Sequence, residues 1–337
     1  MPPVDRRNPI RAASSESTCS LLEFAREFPD DESCLVWLWR ERFAPDGEHA
    51  HCARCDTERV FKRYATAQKR PCWFCRTCGF RIHPLKGTIF ERSSTSLQLW
   101  FYAMYIMAST RCGISAKQLE RELGVTYKTA WRMFNRIRNQ LMVQDDSPLS
   151  GEVEADETYV GGKPRQSERN ALYRQGIVAP RQSERNALYR QGIVAQRGRN
   201  YDKHVIVFGA VERRGRVVAK VIANSGGPLL RETVSTHVIP DSMLFTDDYH
   251  AYKTLDRKYR HRRIRHSAKI YVDGDVHTET IEGFFGLTKN GIRGVYHSVS
   301  RKWLQGYLNE YAWRYNRRDN PGSMFHALLG EAISRAV

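Results

Sequence analysis

The chain has 337 residues, with 54 Lys and Arg against 37 Asp and Glu, a net charge of +17. Hydrophobic residues at 41% and aromatics at 11% supply packed cores, which excludes a chain disordered throughout. The length fits about two domains with a small appendage, and the positive surplus points to a polyanionic partner, nucleic acid before others.

Residues 1–50 read as a helical N-terminal segment. The opening MPPVDRRNPIRAASSES lacks the apolar run of a secretory signal. From Leu21 to Phe43 two short amphipathic patterns are split by Pro29-Asp30-Asp31, and either aspartate can cap the second helix. Residues 51–92 come next, and five of the eight cysteines fall between 52 and 78. In a reducing compartment such clustering argues for metal rather than disulfides. Cys52-x-x-Cys55 and Cys75-x-x-Cys78, 19 residues apart, match a zinc ribbon, each turn presenting two thiolates to one ion. Cys72 and His51 lie near enough to compete as ligands, His83 less so. Cys72 reads as a bystander, because pairing it with Cys75 would strand Cys78.

Residues 93–147 are helical by pattern. The apolar stretch Leu99 to Ala108 is too short to span a bilayer and reads as a buried helix, so no membrane partner is expected. SAKQLEREL, Gly124-Val125-Thr126 and YKTAWRMFNRIRNQL then have the layout of a helix-turn-helix, with Leu119, Leu123, Val125, Ala130 and Phe134 facing its core. The second helix carries Lys128, Arg132, Arg136 and Arg138 and no acid, which suits a helix lying in a DNA major groove.

Residues 148–320 change texture. GEVEADETYVGG is a strand ending in a glycine turn, 204–212 and 216–223 form a hairpin, and SMLFTDD is a further strand. Helical patterns return from Thr280 to Asn316, so an α/β domain with a mixed sheet is expected. The 16-residue segment at 164–179 recurs unchanged at 180–195. It reads as a recent duplication forming a surface insertion, and its basic character keeps a DNA-contacting arm open. Three acids punctuate the domain. Asp156 and Asp247 end strands, and Glu282 begins a helix, with Glu279 one turn earlier as its competitor. Strand-borne aspartates and a helix-borne glutamate can converge to hold two Mg²⁺ ions for phosphodiester chemistry. Lys289 follows Glu282 by two helical turns on the same face and can reach a phosphate. Glu154, Glu157 and Asp248 neighbour these positions, and strand alternation lets only one of each adjacent pair face the site. Between Arg257 and Lys269 there are seven Lys and Arg and no acid. Arg260, Arg262, Arg263 and Arg265 are candidate phosphate contacts there, the alternative being a solvated loop. Residues 321–337 read as a C-terminal tail.

The stretch from about 20 to 320 resembles insertion-sequence transposases of the zinc-ribbon, DDE (ISXO-like) family. The resemblance is carried by the ribbon cysteines, GTIFERSSTSLQLWFYAMY, GISAKQLERELGVTYKTAWRM, DETYVGGK, TDDYHAY and HTETIEGFFGLTKNGIRGVYHSVSRKWLQGYLNEYAWRYNRR. It implies a multidomain fold: a zinc ribbon, an all-α helix-turn-helix segment and an RNase H-like catalytic domain. It implies a bacterial, cytoplasmic, nucleoid-associated enzyme that cuts and joins DNA at element ends. Mg²⁺ or Mn²⁺ would sit at Asp156, Asp247 and Glu282, with Lys289 as trailing base, and Zn²⁺ would be structural. Related sequences often carry Asn at the position of Glu279, so Glu279 stays an alternative third acid. Glu310, Arg314 and Arg317 match a further family pattern, either as an ion-pair cluster or catalytically. The partner implied is double-stranded DNA, both inverted-repeat ends and target. Cutting two ends needs two active sites, so a homo-oligomer on DNA is expected. The duplication departs from the family. The alternatives are a catalytically inactive or domesticated DNA-binding protein and a stand-alone metal-dependent nuclease.

Overall fold

The computed structural model describes residues 19–65, 71–110, 112–145, 147–161, 204–264, 277–320 and 322–334. The duplicated segment at 164–195, Arg265 and the polar 1–18 stretch lie outside the described residues. In chain order the elements are α1 (Leu21–Glu27), α2 (Asp31–Arg42), β1 (His49–Cys52), β2 (Thr57–Ala65), β3 (Pro71–Cys75), β4 (Arg81–Ile82), α3 (Leu97–Ser109), α4 (Ala116–Leu123) and α5 (Tyr127–Arg136). There follow β5 (Glu152–Gly161), β6 (His204–Glu212), β7 (Val217–Ile222), α6 (Gly227–His237), β8 (Met243–Thr246), β9 (Arg260–Arg263), α7 (Glu279–Gly291), α8 (Arg301–Tyr315) and α9 (Met324–Ser334). They group into two compact units, residues 1–144 with 309–337, and residues 145–308.

In the first unit, β1 to β4 make an antiparallel ribbon in sequential order. Such a small sheet has little core of its own, and α2 supplies one: Trp39 stacks on Trp73 of β3 at 4.7 Å and 8° between planes, and its indole N–H donates to the Gly47 carbonyl. The two aspartates after Pro29 serve different helices. Asp30 accepts from the Ser33 N–H and caps α2, whereas Asp31 accepts from the Gln98 N–H and from the hydroxyl of Ser96, the N-cap of α3, and so supports the first turn of that helix. α3 is the apolar helix expected from Leu99 to Ala108, with Trp100, Phe101, Ala103, Met104 and Met107 fully buried. No helix among the described residues is long and apolar enough to cross a membrane. α4 and α5 form the expected pair. Ser115 caps α4, Gly124 ends it at φ +63°, and Thr126 caps α5. Leu119, Leu123, Ala130 and Phe134 are buried there, and Val125 is half-buried. A π-helical stretch, Ile137–Leu141, prolongs α5. The stretch from 321 is not a plain tail: it contains α9, which buries Phe325, Leu328 and Leu329 in this unit.

The second unit is a five-stranded mixed sheet in the order β7-β6-β5-β8-β9. β5, β6 and β7 pair antiparallel, and β8 and β9 run parallel to β5. Valines and isoleucines make β6 buried along nearly its whole length, because helices cover both faces. α7 lies on one face. On the other lie α6 and the 3₁₀ segment His250–Arg257, packing Leu230, Val234, Tyr252 and Leu255. The basic run, for which a solvated loop was the alternative reading, is in part strand β9, at the outer end of the sheet order.

Candidate active site and cysteine cluster

β5 is the central strand, and alternation along it sorts its acids between the two faces. Asp156 pairs with Gly209 of β6. A Cβ placed on Gly209 would meet the Phe285 ring at 2.7 Å and Ile281 at 2.8 Å, both on α7. Paired residues project to the same side, so Asp156 faces α7, together with Glu154 and Thr158. Glu157 faces the other way, and its carboxylate accepts a 2.7 Å hydrogen bond from the Tyr252 hydroxyl.

Asp247 follows β8 directly. The parallel register pairs Val153 with Leu244 and Glu154 with Phe245; continued two residues, it brings Asp247 level with Asp156. The Asp247 carboxylate accepts from the Tyr249 N–H at 3.0 Å, which turns the chain into the 3₁₀ segment. Glu282 sits in the first turn of α7 and accepts from the Thr278 hydroxyl at 2.8 Å. Burial, then the charges of Asp247 and Glu157, and further that of Glu282, push the Asp156 carboxyl well above the usual carboxylate range. Asp247 and Glu282 are thus near enough for their charges to act on Asp156, although among the described residues the three carboxylates do not close into a cluster as tight as that of the four cysteines. Glu279 is exposed at the start of α7. Lys289 donates to the Thr158 hydroxyl; burial lowers its pKa, Arg293 adds to this, and Asp156 opposes it. The donor set is all oxygen, and the carboxylates repel one another. That is the environment a hard divalent cation relieves.

Glu154 was placed by the sequence only as a neighbour of Asp156. It is two residues away, on the same face, and fully buried. Its carboxylate accepts from the backbone N–H groups of Thr280 and Ile281 and from the Arg213 guanidinium. The available signal was parity: in a strand, i and i−2 share a face.

In the first unit, the Sγ atoms of Cys52, Cys55, Cys75 and Cys78 lie within 4.8 Å of one another. A tetrahedral zinc with bonds of about 2.3 Å sets its sulfurs roughly 3.8 Å apart, so one ion fits. Both knuckles turn alike. Asp56 and Gly79, each four residues after a first cysteine, take φ of +51° and +73°, and each donates its N–H back to that cysteine's carbonyl. Burial raises the Cys75 thiol, but the N–H groups of Cys78 and Thr77 and the neighbouring thiols outweigh it and bring it down to about 6. Cys72 is buried in β3, and it, His51 and His83 lie outside the cluster.

The candidate DNA contacts differ in their surroundings. Lys128 and Arg132 are exposed on α5, Arg132 donating to the Thr95 hydroxyl at 3.1 Å. Arg136 is half-buried and donates to the Ile89 carbonyl at 2.8 Å. Arg138 is not at the surface: it is 1% exposed, stacked 3.5 Å from the Phe134 ring centre and ion-paired with Glu310, itself 0% exposed. Glu310 also pairs with Arg314, whereas Arg317 pairs with Glu331. Arg260, Arg262 and Arg263 are exposed along β9.

Comparison with known proteins adds a further observation. The ISXO2-like transposase domain family matches residues 148–316. The chain is similar to an uncharacterized protein in transposable element ISH50 of Halobacterium salinarum, 30% identical over 281 residues, covering 81% of this chain and 87% of that protein. An uncharacterized transposase-like protein of Haemophilus influenzae is 26% identical over 105 residues, 31% of this chain and 84% of that protein. No solved structure matches at a significant level.

Proposed function

Because this chain belongs to the ISXO2-like transposase family, we propose that it is a DNA transposase. It cuts phosphodiesters at the ends of an insertion sequence and joins the freed 3′ ends to target DNA. The observation that carries this reading is the grouping of Asp156, Asp247 and Glu282 on the α7 side of one mixed sheet, which we read as RNase H-like. These carboxylates would hold Mg²⁺ or Mn²⁺. Bound there, the ions supply an activated water or 3′-OH and neutralise charge on the leaving oxygen. The chain's own groups do the rest. Asp156 offers oxygens from the middle of β5 and Asp247 from just beyond the end of the adjacent β8, and Glu282 offers one from the first turn of α7. Lys289, held by Thr158, is placed for a neighbouring phosphate. Arg260 and Arg262 lie on the same side of the sheet as Phe245 and extend a positive track along β9.

The cysteine cluster would hold structural Zn²⁺, and the ribbon with α4 and α5 would bind the terminal inverted repeats through residues that include Lys128, Arg132 and Arg136. Two copies would act together on the two ends. The test is Mg²⁺- and Mn²⁺-dependent cleavage of a labelled duplex carrying the flanking inverted repeat. Asp156→Ala, Asp247→Ala and Glu282→Ala should abolish it, and Glu279→Ala should spare it. A wild type that binds the repeat tightly but never cuts points instead to a DNA-binding remnant, the reading the 164–195 duplication favours.

A further inference from the structure

Each element that carries one of the three acids is tied down a few residues before that acid, and all the ties meet at one ion pair, the buried Glu154 and the partly buried Arg213. Glu154 is itself in β5, two residues before Asp156. One of its oxygens, Oε2, accepts from the N–H groups of Thr280 (2.8 Å) and Ile281 (3.1 Å), fixing the first turn of α7 just ahead of Glu282. Its other oxygen, Oε1, accepts from the Thr280 hydroxyl and from Arg213 Nε, both at 2.9 Å. Arg213, in the β6–β7 turn, donates onward to the His277 carbonyl at 3.1 Å, and its guanidinium lies 4.0 Å from the ring centre of Phe245, two residues before Asp247. α7 has no side-chain cap from Thr278, so Glu154 fills that role from another element.

A carboxylate with no exposed surface is costly to bury, and it is stabilised only when its lone pairs are filled. Here they are filled by donors that belong to, or lead to, every acid-bearing element. We infer that Glu154 is a positioning residue: through Arg213 and the N-terminus of α7 it sets Asp156, Asp247 and Glu282 in register for divalent-metal binding. This rests on the proposed transposase site. Glu154 itself holds no metal, because its oxygens are turned to these donors.

The experiment uses the full chain, with Mn²⁺ as probe. Mn²⁺ binding is read by electron paramagnetic resonance, folding by thermal unfolding, and cleavage as a function of repeat-DNA and metal concentration. Glu154→Gln should lower Mn²⁺ affinity 10–100-fold, the usual range when a residue supporting metal ligands is replaced. The metal-dependence curve of cleavage should shift by the same factor, with repeat-DNA affinity unchanged. Arg213→Lys retains the charge beside Glu154 but loses the fork that reaches both His277 and Phe245. It should fold as the wild type and show the same direction of change, which keeps the test decisive if Glu154→Gln unfolds. A folded Glu154→Gln or Arg213→Lys variant with wild-type Mn²⁺ affinity overturns the inference. If the wild type binds no Mn²⁺, or binds it equally well as Asp156→Ala, the metal site itself is wrong, an outcome distinct from failure at Glu154.

Discussion

Asp156 and Gly209 face each other across the β5–β6 ladder, and the absence of a side chain at Gly209 is what lets Phe285 and Ile281 seat α7 against the sheet. Gly209→Ala should therefore act twice. Overpacking at 2.7 Å should cost about 1–3 kcal/mol in unfolding free energy. Displacing α7 should also carry Glu282 away from Asp156, so cleavage should fall more than the stability loss explains. Denaturant unfolding and single-turnover cleavage of the same preparation check both effects.

The Arg138–Glu310–Arg314 group is buried in the first unit. Glu310→Gln leaves two guanidinium groups facing a neutral amide in a water-excluded site. The expected loss is about 3–5 kcal/mol, measured by denaturant unfolding. A loss below about 1 kcal/mol would show that water reaches the cluster.

The ribbon should depend on zinc. Purified protein should carry one zinc per chain by elemental analysis, and Cys52→Ser or Cys75→Ser should lose it. Chelation should unfold the ribbon, read from the fluorescence of Trp73 stacked on Trp39. Zinc retained at full occupancy in Cys75→Ser would mean that Cys72 or His51 had taken the fourth place.

Arg260→Ala and Arg262→Ala should weaken DNA binding uniformly across sequences. Each should make the slope of log affinity against log salt shallower by about 0.9 for every phosphate the protein no longer neutralises. Fluorescence anisotropy at several salt concentrations measures this, and an unchanged slope would place β9 away from the DNA.

His261 gives a pH dependence with a definite sign. Burial lowers its pKa below the ordinary value and outweighs the Asp256 carboxylate, 2.6 Å from Nδ1, while Arg263 acts with burial. Its Nε2 shares a 2.8 Å hydrogen bond with the Thr246 hydroxyl. The folded state favours the neutral ring, so this contribution to stability is complete above about pH 6.5 and is lost as pH falls from there through the lowered folded value. The drop in melting temperature between pH 7.5 and pH 5.5 should be smaller in His261→Gln than in the wild type.

What the sequence made legible was local. The knuckles are spelled by cysteine spacing, and α4 and α5 by Ser115, Gly124 and Thr126, all within a few residues of what they cap. The strand end bearing Asp247 followed from its apolar run, whereas Asp156, read as ending its strand, lies in the middle of β5, because pairing with β6 carries the strand on to Gly161. What it hid was distant or two-sided. Arg138 read as a surface cation because its partner Glu310 is 172 positions on. Asp31 read as a rival cap for α2 because its target, the Gln98 N–H, is 67 positions on. Glu154 looked like a bystander because its donors come from a helix that begins at Glu279. β9 was masked by its own arginines, whose charge pattern resembles a solvated loop.

Those arginines have a consequence apart from any ligand. β9 is the last strand in the sheet order among the described residues, and an outer strand presents unpaired backbone groups to any other strand it meets. Arg260, Arg262 and Arg263 make that approach repulsive between identical molecules. The charge that would draw the protein to a polyanion thus also keeps free copies from zipping together edge to edge. Neutralising β9 should therefore carry a solubility penalty even in buffer that contains no nucleic acid.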